Sequence, residues 1–265
     1  MKKHLSVFML ISRSTIYKVI ALFVAMAALE GALFYISLDK ALARPIAENS
    51  VGLQGLQGLQ NLQAQQPVGL ESLFTKSLIP WVFAVAFLLL TVLLCLTGCE
   101  FGSKQGYTLG RLSISGRSIF MWQALYNTIC FFLLWAVQLA VALALCKLYI
   151  AKIPTEAVSG QTVLLAFYRN SFLHSLLPLD ETSRYICNVF LIIGLGTSSA
   201  GFPFKQRRGK FGVNVALLVS TCLVFFTRSM GGFGNDILMI LIAITVAAES
   251  IYRACKGETY SEAQY

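Results

Sequence analysis

The sequence predicts an all-α, polytopic membrane protein with about six transmembrane helices and with both its N- and C-termini in the cytoplasm. Of the 265 residues, 57% are hydrophobic and only 12% are charged, so the chain holds more apolar surface than one soluble core of this size buries. Apolar runs of roughly 20 residues, the length that crosses a bilayer as a helix, recur along the chain, and cations are distributed unevenly between them.

Six apolar runs are predicted to cross the membrane. They are residues 16–38, 78–97, 119–150, 185–201, 211–227 and 237–252. The third run is longer than a bilayer requires and is expected to begin or end in the interface, whereas the last two are short and are expected to form a hairpin. We expect residues 1–265 to form a single transmembrane domain.

Lys and Arg residues orient these helices, because short loops rich in them stay in the cytoplasm. With the N-terminus inside, more cations fall in cytoplasmic segments than in outer ones, and the densest group is KQRRGK at residues 205–210. The formal charge of +9 is therefore explained by topology, without nucleic-acid binding. A cleaved signal peptide with an A-x-A site at Ala41 and Ala43 is the alternative for the first run, which is longer than the apolar region of a usual signal peptide.

Three further segments are distinctive. Residues 1–15 are expected to form a cytoplasmic interface segment. Residues 39–77 are expected to form an outer loop rich in Gln and Gly, in which Gly-Leu-Gln repeats. This period fits neither helix nor strand and indicates a flexible low-complexity segment, with a sensor or substrate contact as the alternative. Residues 151–184 are expected to hold an amphipathic helix that lies on the outer membrane surface and ends at Pro178.

No catalytic or metal-binding constellation is predicted. His4 and His174 fall on opposite sides of the membrane in this topology. The seven cysteines lie mostly within or beside apolar runs, as small buried residues do. The segment GRLSISGRS, residues 110–118, has Arg where a phosphate loop has Lys, and no soluble strand precedes it. We therefore expect no enzymatic activity, cofactor or metal.

Two carboxylates fall inside apolar runs. Glu30 lies within the first run, where an unpaired charge costs on the order of 3 kcal/mol or more. It is expected to face the protein interior, water or a cation, or to be protonated, and to serve either a transport path or packing. Glu249 lies nearer a membrane edge, and Arg253 follows four residues later, a spacing that predicts an ion pair on one helix.

The segment between the second and third runs, residues 98–118, holds more regularly spaced apolar residues than a plain connector requires. Leu109, Leu112 and Ile119 recur at helical spacing, while Arg111 lies on another face. A short helix of this kind, held between two membrane spans, is suited to press its apolar face into a cytosolic partner. An interfacial helix that rests on lipid headgroups is the alternative.

This pattern resembles the permease subunits of ABC-2 type transporters. The shared features are the six-span plan, the cationic approach to the first span, and an acid after the second span followed by Gly, Thr, Leu and Arg. The residues that match, together with Arg111 beside them, are Glu100, Gly106, Thr108, Leu109, Arg111, Leu112 and Arg117. Tyr107 separates the usual Gly-Thr pair, and Ser115-Gly116 stands where a proline is common.

The resemblance implies a function and a set of partners. The chain would be a permease subunit in a bacterial plasma membrane, with export as the preferred direction, and residues 98–118 would be the coupling element that contacts a separate cytosolic ATP-binding cassette ATPase. A second permease subunit, identical or related, would complete the transporter. The alternative function is that of a non-transporting membrane protein, such as an immunity, sensor or assembly factor, that binds a different cytosolic partner.

Overall fold

The computed structural model describes residues 2–49, 69–97, 99, 115–153, 160–179, 181–206, 212–227 and 233–262. Across these residues the protein is all-helical and contains no β-strand, as predicted. The helices are α1 (Lys2–Asn49), α2 (Leu70–Lys76), α3 (Ile79–Thr97), α4 (Gly116–Lys152), α5 (Thr162–Arg169), α6 (Ser171–Leu176), α7 (Thr182–Gln206), α8 (Val213–Thr227) and α9 (Phe233–Glu262).

Five of these helices are long and apolar enough to cross a membrane. The segments that meet this condition are Thr15–Leu42, Ile79–Thr97, Gly116–Lys152, Thr182–Gln206 and Phe233–Ala254. The remaining predicted run, 211–227, corresponds to α8, whose apolar part is the shorter stretch Val213–Val224. The structure therefore confirms a multi-pass membrane protein, with five of the six predicted runs long enough to span.

The first helix is longer than the apolar run that predicted it. It continues without a break from Lys2 to Asn49, so residues 39–49, which were assigned to the outer loop, are helical. The apolar run predicts only the part of a helix that lipid surrounds, because water-exposed turns carry no hydropathy signal. The Gly-Leu-Gln repeat lies outside the described residues.

Helix α7 lies at the centre of the bundle and packs against α3, α4, α8 and α9, while α1 packs against α3 and α4. Contacts between α7 and α9 occur at both ends: Ser183 bonds to Asp236, and Lys205 pairs with Glu249. These two helices are therefore parallel. The chain between them must return along the bundle, and α8 lies on this return path.

Side-chain contacts also place the start of α1 and the later part of α9 at the same end of the bundle. Phe8 contacts Trp122 near the start of α4, and Phe120 contacts Phe204 near the end of α7. The end of α7 in turn meets Glu249 toward the end of α9. The start of α1 and the later part of α9 thus lie at one end of the bundle, an arrangement compatible with the expected common side for the two termini.

The amphipathic segment forms two short helices instead of one. Asn170 separates them: its Oδ1 accepts hydrogen bonds from the backbone amides of Phe172 and Leu173 at 3.0 and 3.2 Å, which caps α6. Its Nδ2 donates to the carbonyl oxygen of Glu71 at 2.9 Å and so ties α6 to α2. The helical segment ends before Pro178, as predicted.

A cluster of phenylalanine rings fixes the short helices to the long ones. Phe83 on α3 contacts Phe172 on α6 and Phe226 on α8, with ring centroids 5.8 and 5.7 Å apart. Phe87, one turn further along α3, contacts Phe131 on α4 at 5.6 Å. These tilted and edge-to-face contacts hold α8 within the core despite its length.

Candidate functional site

Most of the predicted partner interface lies outside the described residues. These residues are Glu100, Gly106, Thr108, Leu109, Arg111 and Leu112. Arg117 is described and lies exposed in the first turn of α4. That turn is capped by Ser115, whose Oγ accepts from the amide of Ser118. Residues 116–118, which were assigned to the coupling segment, thus belong to α4. The coupling segment therefore continues directly into the helix bundle.

Glu30 is completely buried and faces the bundle interior, one of the environments predicted for it. Its Oε2 accepts a hydrogen bond of 2.9 Å from Nε2 of Gln138 on α4, which is also completely buried. Both residues lie near the middle of the apolar segments of their helices. Oε1 of Glu30 and Oε1 of Gln138 are buried without a hydrogen-bond partner among the described residues.

A second polar contact joins α4 to α7. The Nδ2 of Asn127 donates to Oγ of Ser199 at 2.9 Å, and both side chains are buried. The two helices approach closely here because Gly196 has no side chain. A Cβ added to Gly196 would overlap Oγ1 of Thr128 and lie 2.8 Å from that residue's Cα.

Toward the start of α7, polar groups connect it to α6 and α9. Asn188 is fully buried and donates from Nδ2 to the carbonyl oxygen of Ser175 at 3.0 Å. Asp236 at the start of α9 accepts a 2.7 Å bond from Ser183 Oγ. Arg184 is also buried and lies 3.5 Å from Glu181. Two oppositely charged side chains, Arg184 and Asp236, are therefore enclosed at this end.

At the opposite end, Glu249 is the centre of an ion-pair cluster. It pairs with Arg253, which confirms the interaction predicted from their spacing. It also lies 3.9 Å from Nζ of Lys205 on α7 and accepts a hydrogen bond from Asn214 on α8. One carboxylate thus connects the last three helices, α7, α8 and α9. The sequence had indicated only its ion pair with Arg253 on the same helix.

Buried polar side chains lie on α7 in two groups, one toward each end of the helix, and the residues between them at 189–196 are apolar or glycine. The described members of these groups, together with two buried polar side chains of α4, are called the polar seam here. They are Arg184, Asn188, Ser198, Ser199 and Lys205 on α7, with Gln123 and Asn127 on α4. The successive α7 members are 4, 10, 1 and 6 residues apart, and at helical periodicity these spacings keep them on one broad face.

The sequence reasoning missed the seam because it considered only carboxylates inside apolar runs. Amides and hydroxyls were not weighed, although Asn127 and Gln138 stand out in the apolar run of α4. The run GLGTSSAG at 194–201 also carried a signal, since small residues four apart mark close helix contacts in membranes. By contrast, the cysteines behave as predicted: the six whose side chains the structure describes are buried and free.

No protein-family model, curated protein or solved structure matches this chain.

Proposed function

We propose that this chain is the membrane-spanning permease subunit of an ATP-binding cassette transporter, driven by a separate cytosolic ATPase and directed toward export. The observation that carries the proposal is the polar seam along α7. Buried polar groups are costly within a membrane and are retained where they face a bundle interior and serve a path for solutes or ions. The chain supplies buried polar groups toward both ends of its central helix, and no energy source of its own is predicted from its sequence.

The exposed faces of the bundle support the second part of the proposal, a pairing with another permease subunit. On α3, large apolar side chains are exposed at one-turn spacing: Trp81, Val85, Leu88, Leu89, Val92 and Leu96. Such a face is covered either by lipid or by another helix. A transporter built from two six-span subunits would place part of this surface at the subunit contact.

Coupling to the ATPase is assigned to residues 98–118. This segment connects α3 and α4, and both helices contact α1 and α7. A displacement of the segment would therefore be transmitted to the helix that carries the polar seam. The apolar face that would enter a groove of the ATPase contains Leu109 and Leu112, whereas Arg111 lies on another face of the expected helix.

The test is co-purification of an ATP-binding cassette ATPase with the chain in mild detergent. Leu109→Glu and Leu112→Glu should each lower the amount of ATPase recovered per folded permease by at least tenfold, because they would bury an unpaired carboxylate at a cost of about 2 kcal/mol or more. Arg111→Ala is the matched control and should retain most of the ATPase.

Membrane insertion should be unaffected in all three variants, since the apolar segments are unchanged. Full retention of the ATPase by both glutamate variants, with undiminished ATP hydrolysis, would show that the segment is an interfacial connector and not a coupling element. Failure to recover any ATPase with the parent chain at native expression would favour a non-transporting membrane protein instead.

A further inference from the structure

Two oxygen atoms at the α1–α4 contact have no hydrogen-bond donor among the residues that the structure describes. They are Oε1 of Glu30 and Oε1 of Gln138, both buried, within a pair already joined by the 2.9 Å bond from Gln138 Nε2 to Glu30 Oε2. Their helices run parallel, since Thr15 bonds to Tyr126 and, further along both helices, Glu30 bonds to Gln138. The pair therefore lies at matching depth in the two helices.

A carboxylic acid and a primary amide are complementary when the acid is neutral. The amide N–H donates to one carboxyl oxygen, and the acid O–H donates to the amide oxygen, so two hydrogen bonds close a ring. The first of these bonds is present. A single proton on Glu30 Oε1 would supply the second and would satisfy both of the oxygens that lack a donor.

The neighbouring helices supply no counter-charge for an ionised Glu30. Among the described residues, its carboxyl forms a hydrogen bond with Gln138 and no ion pair. The charged groups on the helices packed against α1 are Glu71, Lys76, Arg117, Lys147 and Lys152, and they lie on α2 or near the ends of α4. The other titratable groups there are the cysteines and tyrosines of α3 and α4, which are Cys95, Tyr126, Cys130, Cys146 and Tyr149.

We propose that Glu30 and Gln138 form a proton-binding site inside the membrane, in which one proton on Glu30 closes a neutral acid–amide pair between α1 and α4. Binding of the proton converts the carboxylate to the acid and leaves no charge at the contact. Its release leaves an unpaired carboxylate between two apolar helices, which weakens their packing. A monovalent metal ion is less suited to the site, because the described residues offer only two uncommitted side-chain oxygens and such ions need more oxygen ligands. The inference does not depend on the proposed transport function.

Infrared spectroscopy of the purified chain in lipid nanodiscs tests the proposal at neutral pH. We expect a carbonyl band of a protonated carboxylic acid, shifted by deuterium exchange. The band should be lost in Glu30→Gln and retained in Glu71→Gln, which removes a partly exposed carboxylate paired with Arg169. Absence of the band from the parent chain, or its persistence in Glu30→Gln, would overturn the proposal.

A second variant keeps the test valid if Glu30→Gln does not fold. Gln138→Met leaves the acid in place but removes its acceptor, so the band should shift to higher frequency as its hydrogen bond is lost. An unshifted band would show that the amide takes no part in the site. Thermal unfolding in sodium chloride and in choline chloride at equal ionic strength should give the same Tm. A rise in Tm that is specific for sodium would indicate that the site binds a metal cation instead of a proton, and would contradict the proposal.

Discussion

The close contact between α4 and α7 gives a sharp prediction about stability. In Gly196→Ala, the added Cβ would overlap Oγ1 of Thr128 and lie 2.8 Å from both its Cα and its backbone nitrogen. Backbone atoms of a packed helix cannot move aside as the end of a flexible side chain can. The helices must therefore separate locally, which would also stretch the nearby bond from Asn127 to Ser199.

The magnitude follows from two opposing terms. Overpacking at a buried position costs about 1–3 kcal/mol, and a backbone obstacle places this site at the upper end of that range. Alanine is favoured over glycine in a helix by about 1 kcal/mol, which offsets part of the cost. We expect a net loss of about 2 kcal/mol, or a decrease in Tm of roughly 4–8 °C at about 2–4 °C per kcal/mol for a chain of this size.

Gly31→Ala is the matched control, since a Cβ at Gly31 on α1 would have no atom within 4 Å. This variant should keep or slightly raise the Tm, because only the helix preference changes. Thermal unfolding in detergent, followed by circular dichroism, measures both variants. Adding Thr128→Ala to Gly196→Ala should restore only part of the loss, because the Thr128 backbone contacts remain. Equal Tm values for the two glycine variants, or complete rescue by Thr128→Ala, would refute the reasoning.

Two further predictions concern topology and the ion-pair cluster. In a Cys255→Ser background, a membrane-impermeant maleimide should label Gln57→Cys in intact cells and Gln206→Cys only after permeabilisation; equal labelling of both in intact cells would contradict the predicted orientation. Glu249→Gln should lower the stability by about 1–2 kcal/mol because it leaves the buried ammonium of Lys205 without its carboxylate, and adding Lys205→Met should recover part of this loss in the same unfolding assay. A double variant no more stable than Glu249→Gln would show that Lys205 is satisfied in another way.

The membrane-crossing parts of the long helices could be predicted because a bilayer requires about 20 apolar residues from a helix that spans it. The second apolar run was placed at 78–97, and α3 is Ile79–Thr97. Hydropathy was less informative where helices extend into water or pack as short pieces. It gave no sign that α1 reaches Asn49 or that α9, whose run was expected to be short, continues to Glu262. The shortness of the apolar stretch in α8, Val213–Val224, was predicted.

The side-chain pairs inside the bundle could not be predicted from the sequence, because each joins residues far apart in the chain. Glu30 and Gln138 are 108 positions apart, and Asn127 and Ser199 are 72 apart. Hydropathy indicated that Glu30 must face the interior, water or a cation, or be protonated, but named no partner for it. The contact of Glu249 with Arg253 could be predicted because both residues lie on one helix. The contacts of Glu249 with Lys205 and Asn214 could not, because they depend on how three helices pack.

The central position of α7 has a physical cause in its composition. Helices in lipid gain little from burying apolar surface, so close packing and buried hydrogen bonds decide which helices associate. α7 offers small residues in two directions: Gly196 meets Thr128 on α4, while Gly194 and Gly201 meet Ala243 and Ser250 on α9. The last two contacts are seven residues apart on both helices. A repeat of seven keeps the same face of each of two parallel helices in contact. The pairing with α9 is therefore reinforced at both ends by Asp236 and Glu249, whereas the pairing with α4 combines the close approach at Gly196, the bond from Asn127 to Ser199 and the ring contact between Phe120 and Phe204.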